Sequence, residues 1–301
     1  MNPLRILLRN SIDYAGLFPP AGLDMQNSVA NYAAYRAGPD AWALGRFVLP
    51  ASRLPEFTEA LRPMLGSSSP TEPWPLAALA GTDLGSDLDL IRRFNDQHLP
   101  ARIDTVEFRS DSAEAIHDRM HWMPHHLQAY VEIPVSRDPA GLLPALKQAG
   151  GRAKVRTGGV TRDAFPSPGE LIQFISSCVA AGVPFKATAG LHHPVRAEYR
   201  LTYTADSERG LMFGFLNLFL ATAFVWAGME ERRAVQVLEE ASATAFEVGE
   251  SGIRWDGRSL SLDDLQRVRQ EVIISFGSCS FTEPLTELQA LYLLEPGVHR
   301  G

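Results

Sequence analysis

The sequence predicts an α/β fold: a (β/α)8 TIM barrel that carries a helical and hairpin insertion before its last strand. Eight short apolar or β-branched runs occur along the chain, and most are followed by a turn and then by a stretch of helical character. Strands that alternate with helices favour parallel β-α units. The centres of the first seven runs lie 24 to 35 residues apart, a regular repeat. Residues 1–301 are therefore predicted to form one barrel domain.

The predicted strands come first in each unit. They are residues 11–16, 46–50, 75–81, 103–109, 127–134, 153–159, 183–190 and 272–280. Amphipathic stretches between them predict helices, among them residues 26–37, 85–95, 169–181 and 261–270. Ser261 is well placed as the N-cap of the last of these.

The last interval breaks the repeat, because 90 residues separate Lys186 from Phe276. We expect residues 197–260 to form the insertion, with a charged helix around 230–243 and a β-hairpin that turns at Asp256-Gly257. The uncharged run 210–229 is long enough to span a bilayer. It contains a polar asparagine and three glycines and lies between two strands of one sheet. We interpret it as a buried helix or as an interface between copies of the chain, which predicts a homo-oligomer.

Composition excludes several classes of protein. A hydrophobic fraction of 45% and a charged fraction of 21% exclude a disordered or fibrous chain. The net charge is −7 and no basic patch is present, so no nucleic-acid partner is expected. Cys178 and Cys279 are too few for a disulfide framework. The first sixteen residues lack the features of a leader peptide, so we expect a mature, cytoplasmic protein without a membrane partner.

Lysine is rare in this chain. Only three of the 28 basic residues are lysines, namely Lys147, Lys154 and Lys186. Because arginine supplies positive charge almost everywhere, a lysine that remains is a candidate for what arginine does not do, which is to lose its proton and act as an amine. Lys147 lies in a helical stretch and is expected at the surface. The other two lie on the sixth and seventh predicted strands.

Strand alternation predicts where these two lysines point. It places Lys154 and Arg156 on one face of the sixth strand, and Lys186 and Thr188 on one face of the seventh. In a barrel these faces point inward, near the carboxyl ends of the strands where active sites form. Two buried ammonium groups on adjacent strands lower each other's pKa, and an uncharged lysine can form a Schiff base with a carbonyl carbon. The alternatives are structural ion pairs or an anion-binding site.

Three carboxylates are candidates to neutralise a lysine or to relay a proton through water. Asp104 and Glu107 lie on the fourth predicted strand, and Glu132 lies near the end of the fifth. Asp104 and Glu107 are three residues apart, so they are expected on opposite faces. The apolar pattern does not choose between them.

Five of the strands carry a family resemblance. The pattern Lys-x-x-Thr-Gly at 154–158, followed by Lys-Ala-x-Ala-Gly at 186–190, resembles the strands that carry the two active-site lysines of the class I deoxyribose-phosphate aldolases. The eighth strand, Phe-Gly-Ser-Cys-Ser at 276–280, is similar to that family's closing Phe-Gly-x-Ser-Ser. The first strand at 11–14 and the fourth at 102–106 resemble its Ile-Asp-His-Thr and Glu-Ile-Asp-Met-Val. The matches occur in chain order, so the resemblance spans most of the sequence.

The resemblance implies a metal-independent lyase that needs no cofactor. Lys154 would form the Schiff base, Lys186 would depress its pKa, and Asp104 would move protons through a bound water. Four positions would stand where the family holds substrate phosphate, namely Gly158, Gly190, Gly277 and Ser280. Further expected substrate contacts are Asp13, Glu132, Arg156, Thr157, Thr188, His192 and Ser278.

The chain also departs from the family. The phosphate-binding Gly-Gly-x-Arg is Ala-Gly-Leu-His at 189–192, the serine pair is Cys279-Ser280, and Arg156 replaces a small polar residue. An arginine in the pocket suggests a carboxylate or another anion. His192 or His193 is a candidate for substrate binding or acid/base work. Four histidines precede the fifth strand at the opposite end of the barrel and predict no metal site, namely His117, His121, His125 and His126.

We therefore expect a Schiff-base aldolase-like lyase that acts on a small carbonyl compound, phosphorylated or not. Two alternatives stay open at this point. One is a barrel isomerase or transferase in which Lys154, Arg156 and Lys186 bind an anion electrostatically. The other is a non-catalytic binding barrel that uses the run 210–229 to pair with another chain.

Overall fold

The computed structural model describes residues 2–64, 72–97, 99–135 and 137–295. Its strands are β1 (Ile12–Tyr14), β2 (Leu44–Pro50), β3 (Trp74–Leu79), β4 (Ala101–Arg109), β5 (Gln128–Glu132), β6 (Arg152–Arg156), β7 (Phe185–Thr188), β8 (Ala197–Arg200), β9 (Arg209–Met212), β10 (Glu247–Gly249), β11 (Gly252–Trp255), β12 (Arg258–Ser261) and β13 (Ile273–Ser278). Eight of them form a closed, all-parallel barrel in the order β1-β13-β7-β6-β5-β4-β3-β2. Each barrel strand overlaps one of the eight predicted runs, so the predicted fold class is confirmed.

Several of the helices begin at a residue whose side chain caps their first turn. The helices are α1 (Pro3–Leu7), α2 (Met25–Ala37), α3 (Leu54–Leu61), α4 (Leu84–Asn95), α5 (Ala113–His121), α6 (Leu143–Gln148), α7 (Pro168–Ala181), α8 (Phe215–Trp226), α9 (Glu231–Glu239), α10 (Leu262–Glu271) and α11 (Thr282–Ala290). The Asp24 side chain accepts a hydrogen bond from the first turn of α2, and Ser261 does the same for α10, as predicted. Ser167 and Glu170 form a capping box at the start of α7.

Between β7 and β13 the chain adds two small antiparallel sheets, the β8-β9 hairpin and the three-stranded sheet β10-β11-β12. The predicted turn joins β11 to β12, and Asp256 and Gly257 have φ angles of 44° and 75° there. Two residues with positive φ are what a type I′ hairpin turn requires. These extra elements agree with the insertion predicted before the last strand.

The apolar run 210–229 is not one helix. Its first residues belong to β9, and α8 begins at Phe215. Every residue of α8 up to Val225 is buried inside the chain, and the rings of Phe215 and Phe219 pack on Phe276 of β13 at centroid distances of 5.0 and 5.7 Å. The buried-helix alternative is therefore confirmed, since the apolar surface of α8 is used within one chain. The homo-oligomer stays a prediction. No helix in the described part is long and apolar enough to cross a membrane.

Asn217 explains why a polar residue lies within this buried helix. Its side-chain oxygen accepts a hydrogen bond of 2.9 Å from the backbone N–H of Arg196. Its amide nitrogen donates to the carbonyl oxygens of Val237 and Glu240, each at 2.8 Å. The side chain thus joins α8 to the segment before β8 and to the end of α9.

We expect Asn217→Ala to lower the free energy of unfolding by about 3 kcal/mol, because it leaves buried backbone groups without partners. Urea unfolding of the two proteins measures the difference. Asn27→Ala, at an exposed position on α2, is the control and should cost much less. Equal losses in the two variants would contradict the assigned role of Asn217.

Candidate active site

A cluster of charged side chains fills the barrel near the carboxyl ends of its strands. The strand register places Glu132, Lys154, Lys186 and Ser275 side by side on β5, β6, β7 and β13. All four side chains are buried. Both lysines therefore point into the barrel, as strand alternation predicts.

Lys186 is held by directional contacts on two sides. Its Nζ donates to Asp13 Oδ2 and, at 2.7 Å, to Glu107 Oε1. Asp13 is fixed in turn by the Ser275 hydroxyl at 2.7 Å and by the backbone N–H of Arg46 at 2.8 Å. Burial alone would lower the pKa of Lys186, but the carboxylates of Asp13 and Glu107 outweigh it and raise that pKa. The expectation that both lysine pKa values fall is therefore wrong for Lys186, which is a fixed ammonium group.

Lys154 is held less tightly. Its Nζ lies 2.7 Å from Glu107 Oε2 and 3.1 Å from Glu132 Oε2. The shorter distance is that of a hydrogen-bonded ion pair. Both lysines line the barrel cavity described below, and the Lys154 side chain is 7% exposed whereas that of Lys186 is 1% exposed. Of the two lysines, Lys154 is the one more accessible from the cavity.

Glu107 lies between the two lysines. Burial alone would raise the pKa of its carboxyl, but the ammonium groups of Lys154 and Lys186 outweigh it and lower the pKa to about 2. Glu107 is therefore a carboxylate at neutral pH. Asp13, Glu107 and Glu132 together supply one more charged group than the two lysines do.

The structure does not bring Asp104 to the lysines. The Arg46 guanidinium binds the Asp104 carboxylate through two hydrogen bonds of 2.6 and 2.9 Å. Asp104 precedes Glu107 by three residues, which places it about 10 Å nearer the amino end of β4. The pairing of β3 with β4 passes from Ile103 to Thr105, so Asp104 is the extra residue of an irregularity in the strand. Of the carboxylates that the sequence offered as partners of a lysine, Glu107 rather than Asp104 contacts both lysines. The implied role of Asp104, proton transfer through a bound water, stays a prediction.

A cavity of about 230 Å³ opens above this cluster. Its base includes Glu107, Lys154 and Lys186, and Arg156 lies at its side. The strands β2 and β3 and the loops after β1 and β6 supply an apolar wall, which consists of Ala15, Phe18, Pro19, Pro20, Val48, Leu79 and Val160. The volume lies below the usual range for drug-sized ligands. The cavity therefore suits a small molecule with a polar end and a short apolar part.

The other predicted substrate residues divide into two groups. Arg156, Thr188, Gly190, His192 and Gly277 line the cavity. The others contact neighbouring residues instead, and they are Asp13, Glu132, Thr157, Gly158, Ser278 and Ser280.

His192 is an uncharged side chain in this wall. Its Nδ1 lies 3.3 Å from the Ser278 hydroxyl and 3.7 Å from the Cys279 sulfur. Burial, assisted by the neighbouring His193, lowers the pKa of His192 to about 4. At neutral pH it is an imidazole that can accept a proton.

The β8-β9 hairpin reaches the mouth of the barrel. It lines an adjoining cavity of about 320 Å³ that shares Pro20 and His192 with the barrel cavity. In the segment between β8 and β9, the Tyr203 hydroxyl donates to Glu283 at 2.9 Å and lies 3.5 Å from the Cys279 sulfur. Part of the insertion therefore borders the candidate site.

One group in the described part of the chain has the residue types and spacing to hold a metal ion, namely His193, Glu283 and Glu287. The His193 Nδ1 already lies 2.7 Å from Glu287, and Glu283 accepts the hydrogen bond from Tyr203. The ring of His193 stacks on Tyr199 with a centroid distance of 3.5 Å. These side chains already have hydrogen-bond partners among themselves or in Tyr203, at the rim of the barrel. Lys154 is not one of them.

Sequence reasoning missed three contributors to the site. Arg46 was not singled out, although it binds Asp104 and positions Asp13 through its backbone. Ser275 precedes Gly277 by two residues, so strand alternation would have placed it on the inward face. The Phe165 ring packs against Gly158 and Gly190, and no local pattern indicates that contact.

The fold and the cavity define an α/β barrel with a buried lysine and carboxylate cluster at the carboxyl ends of its strands. No model of a known protein family matches the chain, and no curated protein is significantly similar to it.

We expect acid to weaken the barrel through Glu107. Because its folded pKa of about 2 lies below the ordinary 4.5, its contribution to stability is complete above pH 4.5 and is lost as the pH falls toward 2. Glu107→Gln should lower the free energy of unfolding at pH 7 by about 3 kcal/mol, since two buried ammonium groups lose a shared partner. The difference from wild type should shrink between pH 4.5 and 2.

Urea unfolding at a series of pH values measures this. Glu56→Gln is the matched control, because Glu56 also pairs with an arginine, Arg53, but does so at the surface. It should change stability by less than about 1 kcal/mol. A Glu107→Gln protein with wild-type stability at pH 7 would contradict the assigned role of Glu107.

Proposed function

We propose that this protein is a class I, Schiff-base carbon-carbon lyase that acts on a small carbonyl compound, with Lys154 as the nucleophile. The observation that carries the proposal is the Lys154 amine, which borders the cavity and is held by ion pairs, while Lys186 beside it is fixed as an ammonium group. A ligand in the cavity can reach one lysine, while two carboxylates fix the other. This arrangement is suited to imine formation.

The chemistry follows from the groups around Lys154. The uncharged amine adds to the carbonyl carbon, and loss of water from the adduct gives an imine. When the bond between the α and β carbons breaks, its electron pair moves toward the protonated imine and forms an enamine. The β-hydroxyl gives up its proton as the second carbonyl forms. Protonation of the enamine regenerates an imine. Hydrolysis of this imine then releases the carbonyl compound that was bound to Lys154 and restores the free amine.

Two groups can handle the protons. Glu107 stays ionised, because its pKa is lowered to about 2. This leaves Glu132, 3.1 Å from the Lys154 Nζ, as the carboxylate to take the proton that the amine gives up. His192 lies on the cavity wall, where its uncharged imidazole can accept a hydrogen bond from the substrate hydroxyl and take the proton as the carbon-carbon bond breaks. In this proposal Glu132 and His192 are catalytic residues, and Lys186 positions Glu107.

The motif resemblance to class I deoxyribose-phosphate aldolases supports the same chemistry, since the matched strands carry the paired lysines. The charge balance argues against the two lysines as members of an anion clamp, and it leaves Arg156 as the one member that no carboxylate in the described part of the chain contacts. Lys154 and Lys186 contact three carboxylates, Asp13, Glu107 and Glu132, so they offer no net positive charge to an anion. The cavity above the cluster argues against a barrel that serves only to bind another chain.

Reductive trapping tests the proposal. Incubation with small aldehydes, ketones and 2-oxo acids in the presence of borohydride should leave a stable adduct on Lys154. With only three lysines in the chain, peptide mass mapping assigns the adduct without ambiguity. Lys154→Arg should abolish the adduct and reduce carbon-carbon cleavage at least a thousandfold.

Lys147→Arg is the matched control. Lys147 lies at the surface on α6, where it donates to the carbonyl oxygen of Ala181, so trapping should proceed as in wild type. Far-ultraviolet circular dichroism and the melting temperature check that each variant folds. The proposal would be contradicted if Lys154→Arg retained carbon-carbon cleavage, or if none of these compounds gave an adduct at Lys154.

A further inference from the structure

The glycines that resemble a phosphate site serve packing in this chain. A Cβ at Gly158 would overlap the Phe165 ring, and one at Gly190 would lie 2.8 Å from a carbon of the same ring. At Gly277 a Cβ would lie 3.3 Å from the Thr188 side chain. The absence of side chains at these positions is therefore explained without a phosphate.

The hydroxyl groups nearby also have other partners. Ser280 Oγ accepts a hydrogen bond of 3.2 Å from the backbone N–H of Glu283, at the start of α11. The Ser278 hydroxyl contacts His192. Where the resembled family has an arginine, this chain has His192, whose pKa is lowered to about 4 by burial and which carries no charge at neutral pH. The side chain at this position therefore supplies no positive charge to a phosphate.

Of the three cations that line the barrel cavity, Arg156 is the one that no carboxylate in the described part of the chain contacts. Among the described residues no carboxylate lies within ion-pair distance of its guanidinium, and its one hydrogen bond is a long contact of 3.4 Å to the carbonyl oxygen of Gly158. It follows Lys154 by two residues on the same face of β6, so the two Cα atoms lie about 7 Å apart. The other two cations of the cavity, Lys154 and Lys186, are already balanced by carboxylates.

We infer that the substrate is a short oxo acid, a carbonyl compound that carries one carboxylate, and that Arg156 binds this carboxylate while the carbonyl carbon lies at Lys154. An arginine pairs with a carboxylate through two parallel hydrogen bonds, which fixes orientation as well as charge. The apolar wall around Phe18, Val48 and Leu79 accommodates the rest of a short chain. The position of the carbonyl at Lys154 rests on the proposed function, whereas carboxylate binding at Arg156 does not.

Borohydride trapping with three ketones tests the inference: pyruvate, acetone and dihydroxyacetone phosphate. For each ketone the yield of Lys154 adduct in wild type is divided by the yield in Arg156→Gln, which cancels the different reactivities of the ketones. We expect a ratio of at least ten for pyruvate and a ratio near one for acetone, which has no anionic group. A ratio for dihydroxyacetone phosphate as large as that for pyruvate would show that Arg156 binds any anion, and would overturn the assignment of a carboxylate. Arg162→Gln, at an exposed arginine in the loop after β6, is the matched control with ratios near one throughout. Arg156→Lys provides a second variant that keeps the charge.

A second measurement separates this inference from the proposed function. Propionate has a carboxylate but no carbonyl, so it cannot form an imine. It should raise the melting temperature of wild type and of Arg162→Gln but not that of Arg156→Gln. If no ketone gives an adduct while propionate behaves in this way, the lyase proposal fails and carboxylate binding stands. A pyruvate ratio near one, or a propionate effect that survives in Arg156→Gln, overturns the inference.

Discussion

The interior of this barrel depends on one carboxylate placed between two ammonium groups. The parallel register aligns Lys154 with Lys186 on adjacent strands, in a region where burial and mutual repulsion both oppose two positive charges. Glu107 contacts both amines through its two oxygens, and Asp13 and Glu132 contact one amine each. Negative and positive groups therefore alternate across the barrel, so that each buried charge has an opposite charge beside it.

This arrangement makes the two lysines different. Lys186 donates to Asp13 and Glu107, and Asp13 is itself fixed by Ser275, so the ammonium group has little freedom. Lys154 has the same shared carboxylate, but its second carboxylate, Glu132, lies farther away at 3.1 Å, and its side chain is more exposed to the cavity. Two chemically identical side chains thus have different surroundings, and the proposed function gives them different roles.

Sequence periodicity was sufficient to predict the barrel and the inward orientation of the two lysines, because both follow from repeats along one strand or one β-α unit. It did not show whether Asp104 or Glu107 contacts the lysines. That choice depends on an irregular pairing of β4 with β3, which involves residues almost thirty positions away. The burial of α8 was also beyond a local pattern, since an apolar helix has the same composition whether Phe276 or a second copy of the chain covers it. The contact of Phe165 with two motif glycines is likewise long-range.

The motif glycines are explained by packing within the barrel and do not identify a ligand. Gly158 and Gly190 are required where the Phe165 ring approaches the backbone, so they can persist in a barrel whatever its ligand is. Charge is more discriminating, because both lysines at the base of the cavity are already paired with carboxylates, whereas no carboxylate in the described part of the chain contacts Arg156. Under the proposal, an anionic substrate would place its charge toward Arg156 and its neutral carbonyl carbon toward Lys154. The pairing of the two lysines would then set which carbon the amine attacks.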